Sequence, residues 1–339
     1  MNDASVTDAA VIVTVAGRVG RLLLNRPQAL NALDPAMLRT LRAALAVWRE
    51  APALHAVVID STSDRAFCAG GDIRLIRGHA SAGEAEAIER FFAEEYGLDA
   101  DIAQFPKPYV ALVDGICMGG GVGVAVHGAM RVATEHAAFA MPETGIGMFP
   151  DIGATYFLPR LPGSLGIFLG LTGHVLRGAD AVHAGLATHF VPRARLPTLR
   201  TALAAEGVAA VAPLMALLPD FSLAPHRPAI DRCFSADSLP EILDRLAAEA
   251  SDWARATIAT LRGRSPSSLC WSLAAMRRGA ELELPAALAA ELRLACRATR
   301  HPDFAEGVRA MVVDKDRAPR WTPPTVEQVD PVATAEMLR

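Results

Sequence analysis

The sequence has 339 residues, of which 52% are hydrophobic and 21% are charged, and its formal net charge is −4. This length and apolar content allow a large buried core, in one large domain or two smaller ones. The nearly balanced charge provides no basic excess for a phosphate backbone, which speaks against nucleic-acid binding. No stretch approaches about 20 uninterrupted apolar residues, so no membrane span is expected.

The five cysteines are scattered along the chain and form no CxxC pair. This pattern predicts neither a zinc site nor a disulfide framework, and it favours buried, reduced thiols. Residues 1–8 are acidic and lack both the basic and apolar regions of a signal peptide and the arginines of a transit peptide. We therefore expect a cytoplasmic protein.

Strand-like and helix-like patterns alternate through the first 190 residues or so, which predicts an α/β architecture with crossover connections. The predicted elements are a hairpin at 11–15 and 19–24, a helix opened by Asp34 and Pro35, a strand at 55–60, a helix at 85–104, a strand at 109–113, a small-residue helix through His127, and short strands at 131–133 and 138–140.

The second half of the chain has a different character. From Asp151 onward it is mostly helical, and near Leu196 the composition shifts to amphipathic stretches rich in Ala, Leu, Arg and Glu, broken by prolines. We therefore predict two parts: a core at residues 9–195 that holds the site, and a helical C-terminal region at residues 196–339 that packs on the core.

Two glycine clusters each follow a predicted strand. The first reads Ala69-Gly70-Gly71-Asp72, and the second, Gly119-Gly120-Gly121, opens a helix. Glycine lets backbone N–H groups approach a ligand, and a helix N-terminus favours negative charge. If the two turns meet, they predict an oxyanion hole. Taken singly, each is also compatible with ordinary turn chemistry, and neither has dinucleotide or P-loop spacing.

Two acids, Glu143 and Asp151, lie eight positions apart in a loop that is otherwise apolar and rich in glycine. Burial of these acids would raise their pKa values and make them usable as acid, base or nucleophile near neutral pH. The alternative is that Asp151 caps a helix beginning at Ile152 and that Glu143 is solvated. Spacing alone does not separate the two interpretations.

A larger set of stretches carries a family resemblance, which extends from about residue 11 to 321. The matching stretches include Asn25–Leu33, Ala66–Ile73, Phe91–Tyr96, Lys107–Gly123, Phe139–Asp151 and His301–Arg309. They resemble the crotonase (enoyl-CoA hydratase/isomerase) superfamily, and within it the 3-hydroxyisobutyryl-CoA hydrolases most of all. The resemblance implies the α/β crotonase (ClpP/crotonase-like) fold of ββα units with a helical C-terminal region.

The resemblance also implies a site for an acyl-CoA substrate, with no metal and no cofactor apart from the coenzyme A of the substrate. It assigns the oxyanion hole to the N–H groups of Gly71 and Gly120, and the catalytic acids to Glu143 and Asp151. Glu95 matches a further acid of the substrate site. The implied substrate-binding residues are Ala69, Asp72, Ile73, Glu95, Gly120, Glu143 and Asp151.

Departures from the hydratase pattern favour hydrolysis. A hydratase of this superfamily has a Glu where this chain has Gly123, and a glycine where this chain has Asp151. Adding water to a double bond requires two acids that hold one water. We therefore expect hydrolysis of a 3-hydroxyacyl-CoA thioester, with 3-hydroxyisobutyryl-CoA of valine degradation as first choice and enoyl-CoA hydration or isomerisation as the alternative. The resemblance allows a homo-oligomer without fixing its size.

Overall fold

The structure is a computed structural model and describes residues 9–339. Its contacts divide the chain into two compact units, each built from separate stretches of sequence. Unit 1 comprises the described residues up to Gly71, together with Gly97–Phe139 and Leu176–Phe221. Unit 2 comprises Asp72–Tyr96, Ala140–Val175 and Ser222–Arg339. The predicted division into residues 9–195 and 196–339 stays a prediction.

The strands form two sheets. Within the described residues they are β1 (Val11–Ala16), β2 (Val19–Leu24), β3 (Ala56–Ser61), β4 (Ala66–Cys68), β5 (Tyr109–Val113), β6 (Ile116–Met118), β7 (Met130–Ala133), β8 (Ala138–Ala140), β9 (Leu176–Arg177) and β10 (His189–Phe190). One sheet has the order β1-β2-β3-β5-β7-β10 and is parallel except for the β1–β2 hairpin. The other has the order β4-β6-β8-β9, with β4 parallel to β6 and β8 antiparallel to β9.

Helices connect the parallel strands and make up most of unit 2. They are α1 (Pro35–Arg49), α2 (Ile73–Ala82), α3 (Ala85–Ala103), α4 (Gly120–Val126), α5 (Ala154–Phe157), α6 (Leu165–Thr172), α7 (Asp180–Ala184), α8 (Leu196–Glu206), α9 (Arg227–Phe234), α10 (Leu239–Glu249), α11 (Asp252–Arg262), α12 (Pro266–Gly279), α13 (Leu284–Ala298), α14 (Pro302–Val308) and α15 (Pro331–Met337). None of the helices in residues 9–339 has the length and apolar content that a membrane span requires.

The core of unit 1 lies between the six-stranded sheet and α8. Val58 of β3, Val110 of β5 and Val132 of β7 pack with Leu199 and Leu203 of α8, and all five are buried. Strands in the middle of a parallel sheet are covered on both faces, which explains why the segments at 56–61 and 109–113 are nearly continuous apolar runs. This core fixes β3 and β5, and from each of them the chain runs into β4 or β6, where the glycine turns begin.

The predicted α/β architecture is confirmed, and each of the predicted strands and helices listed above appears within a few residues of its expected bounds. Helix α1 begins as expected, because the Asp34 side chain accepts a hydrogen bond from the Met37 N–H at 2.9 Å. The prediction missed β4, β6, β9 and β10. These strands have only two or three residues, too few to show a period.

Candidate active site

The two glycine turns of unit 1 lie side by side, at the ends of β4 and β6. Gly70 has φ = 107°, and a methyl group added to it would lie 3.4 Å from the Gly120 nitrogen. A β-bridge from Leu33 to Gly71 fixes the first turn. Gly119, with φ = 51° and ψ = −127°, starts α4 in a conformation that needs glycine. The two turns therefore lie together, which is the condition that the oxyanion-hole hypothesis requires.

The N–H groups of Gly71 and Gly120 are available to a ligand. Across residues 9–339, neither group donates a hydrogen bond to a protein acceptor. Gly120 is the first residue of α4, so its N–H is one of the donors that a helix leaves unpaired. Two donors from separate turns can stabilise one developing anion. The oxyanion role of these two glycines stays a prediction.

Glu143 lies in a tight turn of unit 2. It begins the 3-10 turn Glu143–Ile146, and its carbonyl accepts hydrogen bonds from the N–H groups of Gly147 and Met148. Gly147 has φ = 70° and lies against the Asp303 backbone, where a side chain would clash. The Glu143 side chain is only 7% exposed, so the alternative of a solvated acid is wrong.

The environment of Glu143 favours its neutral form. Burial raises the pKa of Glu143 well above its usual value, and the charges of Asp151 and Glu95 raise it further, against a lowering backbone hydrogen bond. Its Oε2 atom has no hydrogen-bond partner in the described part of the chain. An unpaired buried carboxyl oxygen is costly, which makes it a candidate for binding a water or a substrate atom.

Asp151 lies at the other end of the same loop and is 6% exposed. Its Oδ2 accepts a hydrogen bond from the Tyr96 hydroxyl at 2.6 Å. The pKa of Asp151 is raised to about 6: burial raises it, and the hydrogen bond from Tyr96 partly offsets this rise. Helix α5 begins at Ala154 rather than Ile152 and has no side-chain cap, so the capping interpretation of Asp151 is wrong.

Glu95 of α3 completes a cluster of three buried carboxyl groups. It is 4% exposed, and its Oε1 has no hydrogen-bond partner within residues 9–339. Burial raises the pKa of Glu95 well above its usual value, and the charge of Asp151 adds to the effect. Ionising all three groups together is unfavourable, so the cluster holds protons near neutral pH that it can donate or exchange.

Helices late in the sequence hold the loop between the two acids. The Ser265 N–H donates a hydrogen bond to the Thr144 carbonyl at 3.1 Å, and the Ser268 hydroxyl donates one to the Met148 carbonyl. The Ser265 hydroxyl donates in turn to the buried carboxylate of Asp303 at 2.5 Å. Fixed supports of this kind keep a catalytic side chain in one orientation.

Three further predicted site residues flank the first glycine turn in the sequence. The Ala69 N–H donates to the Leu30 carbonyl at 3.0 Å. The Asp72 side chain caps α2 by accepting a hydrogen bond from the Leu75 N–H at 3.4 Å, and Ile73 is the first residue of α2. Their coenzyme contacts stay predictions. Residues 9–339 contain no group of three or more His, Cys, Asp or Glu side chains that could hold a metal ion.

Sequence reasoning missed two residues beside the cluster, Tyr96 and Glu291. Tyr96 lies in one of the stretches that match the superfamily, but nothing in the sequence pointed to its contact with Asp151. Glu291 lies on the buried face of α13, between Leu288 and Leu294. A glutamate at a core position of an amphipathic helix is a signal that could have found it.

The chain is similar to known proteins over almost its whole length. The enoyl-CoA hydratase/isomerase family matches residues 19–338. The mitochondrial 3-hydroxyisobutyryl-CoA hydrolase of Xenopus tropicalis is 43% identical over 97% of this chain and 88% of its own length. The human mitochondrial 3-hydroxyisobutyryl-CoA hydrolase is 42% identical over 95% of this chain and 87% of its own length.

Two solved structures are similar to this chain in both sequence and fold. The crystal structure of a carnitinyl-CoA dehydratase from Mycobacterium thermoresistibile superposes with a TM-score of 0.94 at 40% identity, over 98% of this chain and 97% of that one. An enoyl-CoA hydratase from Rhodobacter sphaeroides 2.4.1 gives a TM-score of 0.92 at 40% identity, over 97% of both chains. The predicted crotonase fold is confirmed.

The expectation of a cytoplasmic protein is contradicted by the comparisons. The hydrolases of Xenopus tropicalis, Gallus gallus, Homo sapiens and Rattus norvegicus are all mitochondrial. The expectation rested on residues 1–8, which lie outside the described residues. Import into an organelle is directed by a leader segment that is separate from the folded domain, so the composition of the domain carries no information on the compartment.

Proposed function

The chain belongs to the enoyl-CoA hydratase/isomerase family, and we propose that it hydrolyses 3-hydroxyisobutyryl-CoA to 3-hydroxyisobutyrate and coenzyme A, a step of valine degradation. One observation carries this conclusion: identity of 42–43% to 3-hydroxyisobutyryl-CoA hydrolases over at least 95% of the chain. The presence of two buried acids at positions 143 and 151 supports it, because hydrolysis at neutral pH needs groups that can exchange protons.

We assign the chemistry as follows. The N–H groups of Gly71 and Gly120 bind the thioester oxygen and stabilise the tetrahedral oxyanion, and losing one such donor costs about 3 kcal/mol in the barrier. Glu143 acts in its ionised form: it either takes a proton from the attacking water or attacks the carbonyl itself, giving a mixed anhydride that water then cleaves. Asp151 positions or protonates the reacting groups, and the thiol of coenzyme A leaves.

Glu95 supplies substrate selectivity in this proposal. Its unpaired Oε1 is suited to accept a hydrogen bond from the 3-hydroxyl group of the acyl chain. A site built to pair a hydroxyl rejects analogues that lack it, because its polar atom would then stay buried without a partner. The support for this role is the burial of Glu95 beside the two other acids.

The alternative function is hydration or isomerisation of an enoyl-CoA. It is favoured by the two structural relatives, whose names are those of a hydratase and a dehydratase. Gly123 speaks against it, because no carboxyl group is available at that position to share one water with Glu143. Loss of enoyl absorbance from crotonyl-CoA, measured beside thiol release from 3-hydroxyisobutyryl-CoA, separates the two functions.

The direct test of the proposed function replaces Glu143. We expect Glu143→Ala to abolish thiol release from 3-hydroxyisobutyryl-CoA, with a fall in kcat of about 10³-fold or more. Thiol release is followed with a chromogenic thiol reagent, across short 3-hydroxyacyl and unsubstituted acyl thioesters. Unchanged turnover in this variant would remove Glu143 from the mechanism.

Homo-oligomerisation stays a prediction, and light scattering of the purified chain measures it.

A further inference from the structure

A fourth buried carboxyl group, that of Glu291 on α13, holds the turn that follows Asp151. Its Oε2 accepts a hydrogen bond from the Gly153 N–H at 2.6 Å. Its Oε1 accepts two more, from the Thr155 N–H at 2.9 Å and the Thr155 hydroxyl at 2.5 Å. The side chain is only 2% exposed, and it lies 138 positions from Gly153 in the sequence.

The turn that Glu291 holds is strained. Ile152 has φ = 55° and Gly153 has φ = 82°, so two successive residues adopt the left-handed conformation. For a β-branched residue such as Ile152 this conformation is a genuine outlier and is unfavourable. Such a turn persists only when its surroundings impose it. Three hydrogen bonds from the turn and the helix after it to one buried carboxyl group constrain this turn.

Glu291 also belongs to the electrostatic surroundings of Asp151. The pKa of Glu291 is raised to about 8, because burial and the charge of Asp151 raise it more than the hydrogen bonds from Thr155 and Gly153 lower it. Its charge in turn raises the pKa of Tyr96, the hydrogen-bond donor of Asp151. From α12, Arg278 lines a small cavity of about 20 Å³ together with Glu291. The charged or titratable groups around Glu291 are therefore Asp151, Tyr96 and Arg278.

We propose that Glu291 is a positioning residue for Asp151, which it orients by holding the strained turn through Gly153 and Thr155. The inference rests on the proposed catalytic role of Asp151. Glu291 acts through the backbone: it sets the direction in which the Asp151 side chain points, and the hydrogen bond from Tyr96 fixes the carboxyl end of that side chain. A misplacement of a catalytic group by about 1 Å costs up to about 100-fold in rate.

The test measures kcat, KM and the pH profile of Glu291→Gln with 3-hydroxyisobutyryl-CoA. In this variant an NH₂ group replaces one of the two carboxyl oxygens that accept hydrogen bonds from Gly153 and Thr155. An NH₂ group cannot accept these bonds, so the turn loses at least one contact. We expect kcat to fall by about 10- to 100-fold while KM stays within about twofold. Ionisation of Glu291 near pH 8 improves its acceptor capacity, so kcat of the unmodified enzyme should rise through that pH, and the variant should lack this rise.

A pair of matched threonine variants keeps the inference testable even when Glu291→Gln folds poorly. Thr155→Val removes only the hydroxyl donor to Glu291, and we expect about a threefold to tenfold loss of kcat. Thr299→Val is the control: Thr299 is as buried, at the end of α13, and its hydroxyl donates only to helix carbonyls. We expect this control to leave kcat and the pH profile unchanged.

Two outcomes would overturn the inference. One is that Glu291→Gln and Thr155→Val lower only the melting temperature, with kcat and its rise near pH 8 intact. The other is that Thr299→Val lowers kcat as much as Thr155→Val. Failure of the proposed function is distinguishable, because it appears as no thiol release by the unmodified enzyme. In that case the same variants are compared on crotonyl-CoA, where unchanged turnover would also overturn the role of Glu291.

Discussion

Buried carboxyl groups occur in both units, but their partners differ. In unit 1, Asp60 is 3% exposed and accepts two hydrogen bonds from the Arg200 guanidinium, at 2.6 and 3.1 Å. Asp114 pairs with Arg193 at 2.9 Å. In unit 2, the cluster of Glu95, Glu143 and Asp151 forms no ion pair with any Lys, Arg or His of residues 9–339.

The difference separates structural acids from candidate catalytic ones. A buried carboxylate beside a guanidinium is charge-compensated, and removing one partner mainly destabilises the fold. A buried carboxyl group without a cation keeps its proton to a higher pH and stores unfavourable energy in the fold. Such an arrangement is retained where the chemistry needs it. Burial alone therefore does not indicate a site, since Asp303 and Glu291 are also buried and act as supports. The cluster differs from both because a carboxyl oxygen of Glu95 and one of Glu143 have no hydrogen-bond partner within residues 9–339.

The largest effect that tests this comparison is on turnover. We expect Asp151→Asn to lower kcat for 3-hydroxyisobutyryl-CoA by about 10²- to 10³-fold, because the amide cannot exchange a proton. The melting temperature should change little, since the Tyr96 hydroxyl can still donate to the amide oxygen. Steady-state kinetics and thermal unfolding measured on the same preparation check both parts.

The matched variant for this prediction is Asp60→Asn. It removes a buried carboxylate from unit 1, and we expect a loss of about 1–3 kcal/mol in the free energy of unfolding because Arg200 loses its partner. We expect kcat to stay within about twofold. If both variants lost the same factor in kcat, the distinction between paired and unpaired acids would fail.

A smaller effect concerns the pH dependence. The pKa of Asp151 is raised to about 6, because burial raises it more than the hydrogen bond from Tyr96 lowers it. Tyr96→Phe removes that bond, which raises the pKa of Asp151. The limb of the pH–kcat profile that is due to Asp151 should therefore shift to higher pH by about one pH unit. The other groups facing Asp151 are Glu95, Glu143 and Glu291, and all are retained in this variant. A limb that stays in place would show that the bond does not tune Asp151.

The smallest effect is on stability, and its sign follows from the raised pKa of Glu143. In the unfolded chain this group ionises near 4.5, whereas in the fold it resists ionisation to a much higher pH. Its stabilising contribution is therefore present below pH 4.5 and is lost as the pH rises towards its raised pKa. We expect Glu143→Gln to melt at the wild-type temperature at pH 4.5 and about 2–4 °C higher at pH 8.

A melting scan at several pH values checks this prediction, with Asp60→Asn as the contrast. The unit 1 variant should melt at a lower temperature than the unmodified enzyme at pH 7, because it loses an ion pair. A Glu143→Gln protein that is less stable than wild type at pH 8 would mean that Glu143 is paired in solution.

Much of the fold was predictable because its signals are local. The hairpin of β1 and β2, the capped start of α1 and the buried runs of β3 and β5 each depend on residues close in sequence. The strands at 66–68 and 116–118 were not predicted, because three residues carry no period and these segments become strands only by pairing within the four-stranded sheet. The hydrolase resemblance came from motifs, and the comparisons confirm the family it named.

The sequence by itself determined the α/β architecture, the family and the identity of the acids at positions 95, 143 and 151. Only the tertiary structure decided that these acids are buried together without a cation, since Glu95 comes from α3 and the other two from a loop about 50 residues later. The support by Glu291 was also hidden, because its partner Gly153 is 138 positions away. Charge compensation depends on all neighbours in space, and those neighbours are fixed only when distant segments pack.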